Sequence, residues 1–438
     1  MNKITLVSLG CAKNLVDSEV MLGYLEHAGY SLITQIEEAD IIIVNTCGFI
    51  QPARLEAEEH IAKALQVKHK KPSTQIVVAG CYTQTSEQKL RQRFTGIDFW
   101  TGVNDYHHIV EILERRPYTS QDKCFLYEHD SPRRISTPSA WAYLKISEGC
   151  SHRCSFCTIP HIKGPYRSRS LESVVQEFQS LLDQGANEIN LISQDTTFYA
   201  RDLGKKEGLA ELLGVLSVLP GKFWIRLLYA YPDEISDHLL DIMQEDKICA
   251  YLDAPFQHSH PRIIKEMNRG MVGEQALNFM DKVRAKIPDM VFRTSLIVGF
   301  PGEGQKEFEH LREFVQAARF EHLGIFSYSP ENNTQSFTLK DQVPEEEKEH
   351  RRRQLMEMQA RISMELNQKW IGDQVEVLLE GRLHENPEFI VGRTRYQAPE
   401  VDGIVLVKSE GSSSSSGIFQ NVEIHGSDVY DLYGTMIT

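Results

Sequence analysis

Glu148-Gly-Cys-Ser-His-Arg-Cys-Ser-Phe-Cys-Thr-Ile-Pro160 holds three thiols, Cys150, Cys154 and Cys157, at spacings of four and three. Three thiols this close suit one metal centre. A closed zinc site needs four ligands, and its cysteine pairs usually come as C-x2-C or C-x4-C. An iron–sulfur cluster held by three thiolates fits the spacing better, because its fourth iron is left open for a small molecule. The zinc reading stays open with His152 as fourth ligand. Buried cysteines acting as small hydrophobes fit poorly, since Ser, His and Arg fill the gaps.

Working back from this stretch, residues 1–125 alternate continuous apolar strands with amphipathic helices. Strands are expected at 3–8, 40–45 and 75–80, with helices at 14–28, 52–69 and 86–94. That alternation predicts a doubly wound parallel α/β domain covered on both faces. The strands run out into Ser8-Leu-Gly-Cys11, Val44-Asn-Thr-Cys47 and Val78-Ala-Gly-Cys81. All carboxyl ends of a parallel sheet lie on one edge, so Cys11, Cys47 and Cys81 should face a common crevice and hold a second three-thiolate cluster. Gly10, Gly48 and Gly80 would leave room for close backbone approach. Cys124 and Cys249 show no such placement and are read as non-ligands.

Residues 126–140 are rich in Pro and Ser and read as a linker. From 141 to 342, six strands alternate with helices: 142–147, 188–192, 224–229, 251–256, 292–298 and 323–328. This predicts an incomplete (β/α) barrel with its site at the carboxyl ends of the strands. Residues 343–369 are highly charged and read as a solvated joining helix. Five short strands between 370 and 438 predict a small β-barrel of the OB kind, with a flexible loop at 411–417. This last domain is acidic, with eleven Asp and Glu against five Lys and Arg from 369 onward.

The chain has 438 residues and a formal net charge of −14, which argues against nucleic-acid binding by long-range attraction. No apolar run reaches the ~18 residues of a membrane span. The apolar stretch 4–12 is too short for an export signal and is followed at once by Lys13 and Asn14. A cytoplasmic protein with reduced cysteines is expected, and clustered thiols there point to metal or catalysis.

Cys150-Ser-His-Arg-Cys-Ser-Phe-Cys157 resembles the C-x3-C-x2-C signature of the radical S-adenosylmethionine enzymes. Ser8-Leu-Gly-Cys-Ala-Lys-Asn-Leu-Val-Asp-Ser-Glu19, with Val44-Asn-Thr-Cys-Gly-Phe-Ile50 and Cys81, resembles the methylthiotransferases. Tyr251-Leu-Asp-Ala-Pro-Phe-Gln-His258 is also family-like. Within that family the N-terminal motif looks like the RimO branch, since the tRNA-modifying MiaB branch typically reads G-C-Q-M-N where Ala12 and Lys13 stand here.

The resemblance covers the whole chain and makes 370–438 a TRAM domain. It implies a methylthiotransferase that adds a methylthio group to the β-carbon of an aspartate in small-subunit ribosomal protein twelve. That carbon is saturated and not usefully acidic, so a side-chain base cannot activate it and radical cofactor chemistry is needed. S-adenosylmethionine would serve as both radical source and methyl donor. Two 4Fe–4S clusters, an electron donor and a sulfur source are implied, and a membrane or nucleic acid is not required. Alternatives are tRNA methylthiolation of the MiaB type, or a non-enzymatic iron–sulfur or zinc protein.

The resemblance also nominates cofactor contacts, each with a plainer reading. Phe156 either meets the adenine or packs the cluster loop. Ser193, Gln194 and Asp195 either bind the cofactor amino group or cap a turn. Gly299 and Glu303 either form a second cofactor stretch or an ordinary strand-to-helix turn. Arg226 is either a cofactor contact or a satisfied interior charge. Arg167 and Arg169 either orient a carboxylate or are solvated.

Overall fold

The computed structural model describes residues 2–120, 123–409 and 416–437. The expected flexible loop at 411–417 falls largely outside them. By contacts the chain forms two compact units. One comprises Met1–Ser136, Lys145–Val174 and Glu331–Thr334; the other comprises Thr137–Leu144, Val175–Pro330 and Gln335–Thr438.

The first unit is built on β1 (Lys3–Ser8), β2 (Ser31–Leu32), β3 (Ile41–Thr46), β4 (Gln75–Gly80) and β5 (Phe99–Thr101). Their order is β2-β1-β3-β4-β5, and every pairing is parallel. β3 is buried along its whole length, as its unbroken Ile-Ile-Ile-Val run requires. Helices α1 (Ala12–His27), α2 (Gln51–Lys70) and α3 (Cys81–Arg93) follow β1, β3 and β4. Two strands beyond the expected three, β2 and β5, lie at the edges, where two or three residues give too little periodicity to read. Helix α3 begins five residues earlier than expected. It holds a non-helical residue at Ser86, so the Gln-Thr-Ser stretch hid its first turn.

The same unit includes the chain after β6 (Trp141–Lys145). β7 (Ser147–Glu148) and β8 (Arg167–Ser168) pair antiparallel and form the neck of a loop that carries Cys150, Cys154 and Cys157. Part of the expected linker is firmly held. Glu19 of α1 accepts from the Arg133 guanidinium at 2.7 Å and from the Ser136 amide at 2.7 Å.

In the second unit, β6 is followed by β9 (Glu188–Ile192), β10 (Trp224–Leu227), β11 (Ile248–Asp253), β12 (Val291–Val298) and β13 (His322–Ser327). The sheet order β13-β12-β11-β10-β9-β6 follows the chain without a reversal, which is six strands of an open barrel. β9 to β13 pair in parallel. The helix Glu345–Asn367, expected to be solvated, instead buries Lys348, Arg351, Leu355, Gln359 and Ile362. These recur at three- and four-residue spacing, and the stripe was masked because two of its members are cationic.

The closing barrel comprises β14 (Gln374–Arg382), β15 (Phe389–Thr394), β16 (Val405–Lys408), β17 (Ile418–Ser427) and β18 (Leu432–Met436), closed in the order β14-β15-β16-β18-β17. Val377, Ile390, Val405, Val407, Val422 and Ile424 fill it.

Candidate active site

The strand order β2-β1-β3-β4-β5 reverses direction between β1 and β3, and ligands bind at the carboxyl edge of such a switch point. Cys11 follows β1, Cys47 follows β3 and Cys81 follows β4, so the three cysteines leave three adjacent strands at that edge. Cys11 is the N-cap of α1, and Cys81 is the first residue of α3. Helix N-termini favour an anionic ligand set there.

The backbone is shaped to bring these loops together. Gly10 has φ +91°, and a Cβ on it would lie 2.6 Å from the Cys47 Cβ and 2.9 Å from its sulfur. A Cβ on Gly80 would meet Asn45 Oδ1 at 2.3 Å. Asn45 donates to the Asn14 carbonyl at 3.1 Å and to Ser18 Oγ at 2.8 Å, while Asn14 donates to the Leu9 carbonyl at 2.7 Å. These amides fasten the start of α1 to the end of β3.

Burial pushes the Cys47 thiol up to about 11, with Cys11 adding to the rise, and burial pushes Cys81 well above its ordinary value. Buried thiols of this kind ionise when a metal takes the charge. Among the described residues, no three His, Cys, Asp or Glu side chains converge as ligands of one metal ion.

The second triad lies in the same unit. The Cys150 amide donates to the Gly164 carbonyl at 3.1 Å and the Cys157 amide to the Cys154 carbonyl at 3.1 Å. Gly149 has φ +80°, and a Cβ there would meet the Pro165 carbonyl at 2.2 Å, so the neck of the loop admits only glycine. The two cysteine loops touch: Thr158 Oγ1 donates to the Phe49 carbonyl at 3.5 Å. Cys124 is buried against Cys81, Val103 and Ile162.

Four ionisable residues of this unit escaped the sequence reading: Asp17, Lys145, Glu148 and Lys163. All are buried and mutually paired. Asp17 and Glu148 lie inside the two cysteine motifs, the only signal available for them. Arg54 and Glu331 were also missed. They pair at 2.6 Å, and Arg54 also donates to the Gly48 carbonyl at 3.3 Å.

Several nominated contacts have other duties. Arg226 is fully buried, donates to Glu188 at 2.7 Å and to the Arg395 carbonyl at 2.8 Å, and stacks 4.6 Å over Tyr251. Its charge is paired inside the barrel, while its Nη2 has no hydrogen-bond partner among the described residues. Glu303 accepts from the Gly299 amide at 3.0 Å and from Arg351 at 2.8 Å, and lies 3.3 Å from His258. A Cβ on Gly299 would meet Lys348 Cγ at 2.2 Å. Gly299 and Glu303 therefore close a strand-to-helix turn.

Asp195 Oδ1 accepts from the Thr197 amide at 3.0 Å, capping the turn Thr196–Phe198, and Ser193 Oγ accepts from the Asp195 amide at 2.9 Å. Ser193, Gln194 and Asp195 directly follow β9, at the sheet edge where such barrels bind ligands. Arg167 donates to the Cys124 carbonyl. Arg169 is buried, donates to Ser173 Oγ at 2.7 Å and sits 4.4 Å over Tyr127, so it is not solvated. Phe156 is half-buried beside Cys157.

Comparison with known proteins places the chain among described families. Residues 3–102 match the "Uncharacterized protein family UPF0004", residues 144–315 the "Radical SAM superfamily", and residues 371–437 the "TRAM domain". The ribosomal protein uS12 methylthiotransferase RimO of Clostridioides difficile (strain 630) is 43% identical over 100% of this chain and 99% of its own. That of Aquifex aeolicus (strain VF5) is 42% identical over 99% and 96%. Among solved structures, the radical S-adenosylmethionine methyltransferase TsrM from Kitasatospora setae aligns with a TM-score of 0.55 at 15% identity, covering 88% of this chain and 80% of that one. At that identity the likeness is of fold alone. On the full-length relatives, the chain belongs to the RimO family of radical S-adenosylmethionine methylthiotransferases.

Proposed function

We propose that this enzyme adds a methylthio group to the β-carbon of an aspartate in uS12, small-subunit ribosomal protein twelve, using two 4Fe–4S clusters. Cys150, Cys154 and Cys157 would hold one cluster, and Cys11, Cys47 and Cys81 the other. The observation that carries the two-cluster reading is the exit of Cys11, Cys47 and Cys81 from three adjacent parallel strands, with Gly10 left bare against the Cys47 sulfur. Full-length identity to proteins named uS12 methylthiotransferases supports the substrate.

When bound, the clusters supply the electron that cleaves S-adenosylmethionine and an open iron that carries sulfur. The chain's own residues position and enclose. Gly149 and the β7–β8 neck shape the first loop, and Asn14 and Asn45 fasten the second. Phe156 would meet the adenine, and Ser193, Gln194 and Asp195 the cofactor's polar end. The functional division would run 1–125 for the N-terminal cluster domain, 126–140 for a linker, 141–342 for the radical domain, 343–369 for the joining helix and 370–438 for the TRAM domain.

The acidic last barrel suits a basic protein partner. Part of its charge is spent internally: Glu380 pairs with Arg393, and Asp402 accepts from Tyr251 at 2.6 Å. Glu385, Glu388 and Glu423 remain exposed for docking.

Anaerobic reconstitution with iron and sulfide counting tests the site. Wild type should hold two clusters, and the Cys11→Ala/Cys47→Ala/Cys81→Ala variant one. A wild-type chain holding a single cluster would sink the reading. Mass spectrometry of uS12 from cells lacking the gene tests the substrate, since an unchanged methylthio adduct there would overturn it.

A further inference from the structure

Asp17, Lys145, Glu148 and Lys163 form a closed square of alternating charge in which no member is more than 4% exposed. Lys163 Nζ lies 2.8 Å from Asp17 Oδ2 and 3.4 Å from Glu148 Oε2. Lys145 Nζ lies 2.7 Å from the same Glu148 oxygen and also donates to Asp17 Oδ1. The square sums to zero charge, so no member is buried uncompensated.

Its corners lie on the chain segments that carry both cysteine triads. Asp17 is on α1, whose N-cap is Cys11. Glu148 stands two residues before Cys150, and Lys163 six residues after Cys157. Only Asp17 belongs to the N-terminal strand-and-helix layer; the other three belong to the segment from β6 to the end of the Cys150–Cys157 loop.

A buried ion pair often adds little stability over well-packed apolar side chains, and its best-attested use is to fix register. An apolar contact here would permit α1 to slide or rotate against the loop. Two directed pairs at fixed oxygens permit one arrangement. Resting on the two-cluster reading above, we infer that this square is a clasp that sets the separation of the two cysteine triads. All four are positioning residues, acting on the geometry between centres without touching substrate.

The test uses the full chain with both clusters reconstituted. Asp17→Asn combined with Lys163→Met removes one negative and one positive charge and leaves the Lys145–Glu148 pair intact. Iron and sulfide should stay at the wild-type count. The magnetic coupling between the two reduced clusters, read by electron paramagnetic resonance, should weaken, because dipolar coupling falls steeply with distance. Methylthio product per 5′-deoxyadenosine formed should drop at least about tenfold, equivalent to ~1.4 kcal/mol.

Unchanged coupling and product ratio in a fully loaded variant would overturn the clasp. Should that variant lose iron, Lys163→Arg keeps the charge but changes its reach. Full iron with altered coupling then supports the clasp, and full iron with unaltered coupling overturns it. A wild-type protein with iron for one cluster refutes the two-cluster reading itself, so the two failures are distinct.

Discussion

Arg393 Nη2 donates to Glu188 Oε2 at 2.7 Å, although 205 positions separate them in sequence and both side chains are buried. Glu188 opens β9 of the partial barrel, and Arg393 lies on β15 of the closing barrel. Arg226 takes the other Glu188 oxygen at 2.7 Å, and Glu380 takes the far side of Arg393. Burial alone would raise the Glu188 carboxyl, but the two guanidiniums outweigh it and hold it below its ordinary value. The closing barrel is thus tied to the partial barrel by charges that neither could bury alone.

Removing one member should be costly. Arg393→Met leaves Glu380 uncompensated and Glu188 with one partner, for an expected loss of about 3 kcal/mol in denaturant unfolding. The Glu188→Gln/Arg393→Met pair should lose less than the sum of the two single variants, because either change already breaks their shared ion pair. An additive double variant would mean the two residues are not energetically coupled.

Gly10→Ala should displace the Cys47 loop, since the new Cβ would sit 2.6 Å from the Cys47 Cβ. Bound iron is expected to fall to about half of wild type, with the Cys150–Cys157 cluster retained. Gly29→Ala is the control, because Gly29 shares a positive φ, at +87°, and has nothing within 4 Å. If both variants lose iron equally, backbone strain and not the cradle at Cys47 is responsible.

His107 gives the first unit a pH dependence. Its ring stacks on Phe125 with centroids 3.8 Å apart, and burial, reinforced by neighbouring His108, lowers its pKa from 6.5 to about 4. The folded state therefore binds fewer protons than the unfolded chain between those values. The stability it contributes is complete above pH 6.5 and is lost as pH falls toward 4. His107→Phe should flatten the melting temperature across that window; an unchanged slope would assign the loss to other groups.

Glu303→Ala should destabilise without harming cofactor binding. Its carboxylate is held by Arg351 and the Gly299 amide, so its removal leaves the buried Arg351 short of a partner and should cost roughly 3 kcal/mol. Calorimetric affinity for S-adenosylmethionine in the folded protein should stand. Lost affinity with an unmoved unfolding midpoint would return Glu303 to the cofactor.

Charge on the closing barrel can be tested against the partner. Reversing Glu385, Glu388 and Glu423 to Lys should weaken uS12 binding by about tenfold at low salt, with the difference shrinking as salt rises. Equal affinity at low salt would show that docking does not use these charges.

Spacing and periodicity were enough to read the six clustered cysteines, the strand ends that carry three of them, and the three domain types. Those features are local: a ligand motif needs only its spacing, and a buried parallel strand needs only an unbroken apolar run. Only the folded chain shows the partners of the isolated charges: Glu188 for Arg226, and Arg351 with the Gly299 amide for Glu303. Arg226 and Glu303 read equally well as cofactor contacts, because a lone Arg or Glu near a strand end carries no sign of its partner. Asp17, Lys145, Glu148 and Lys163 were silent for the same reason, since a buried charge is explained by an opposite charge that folding brings from elsewhere in the chain.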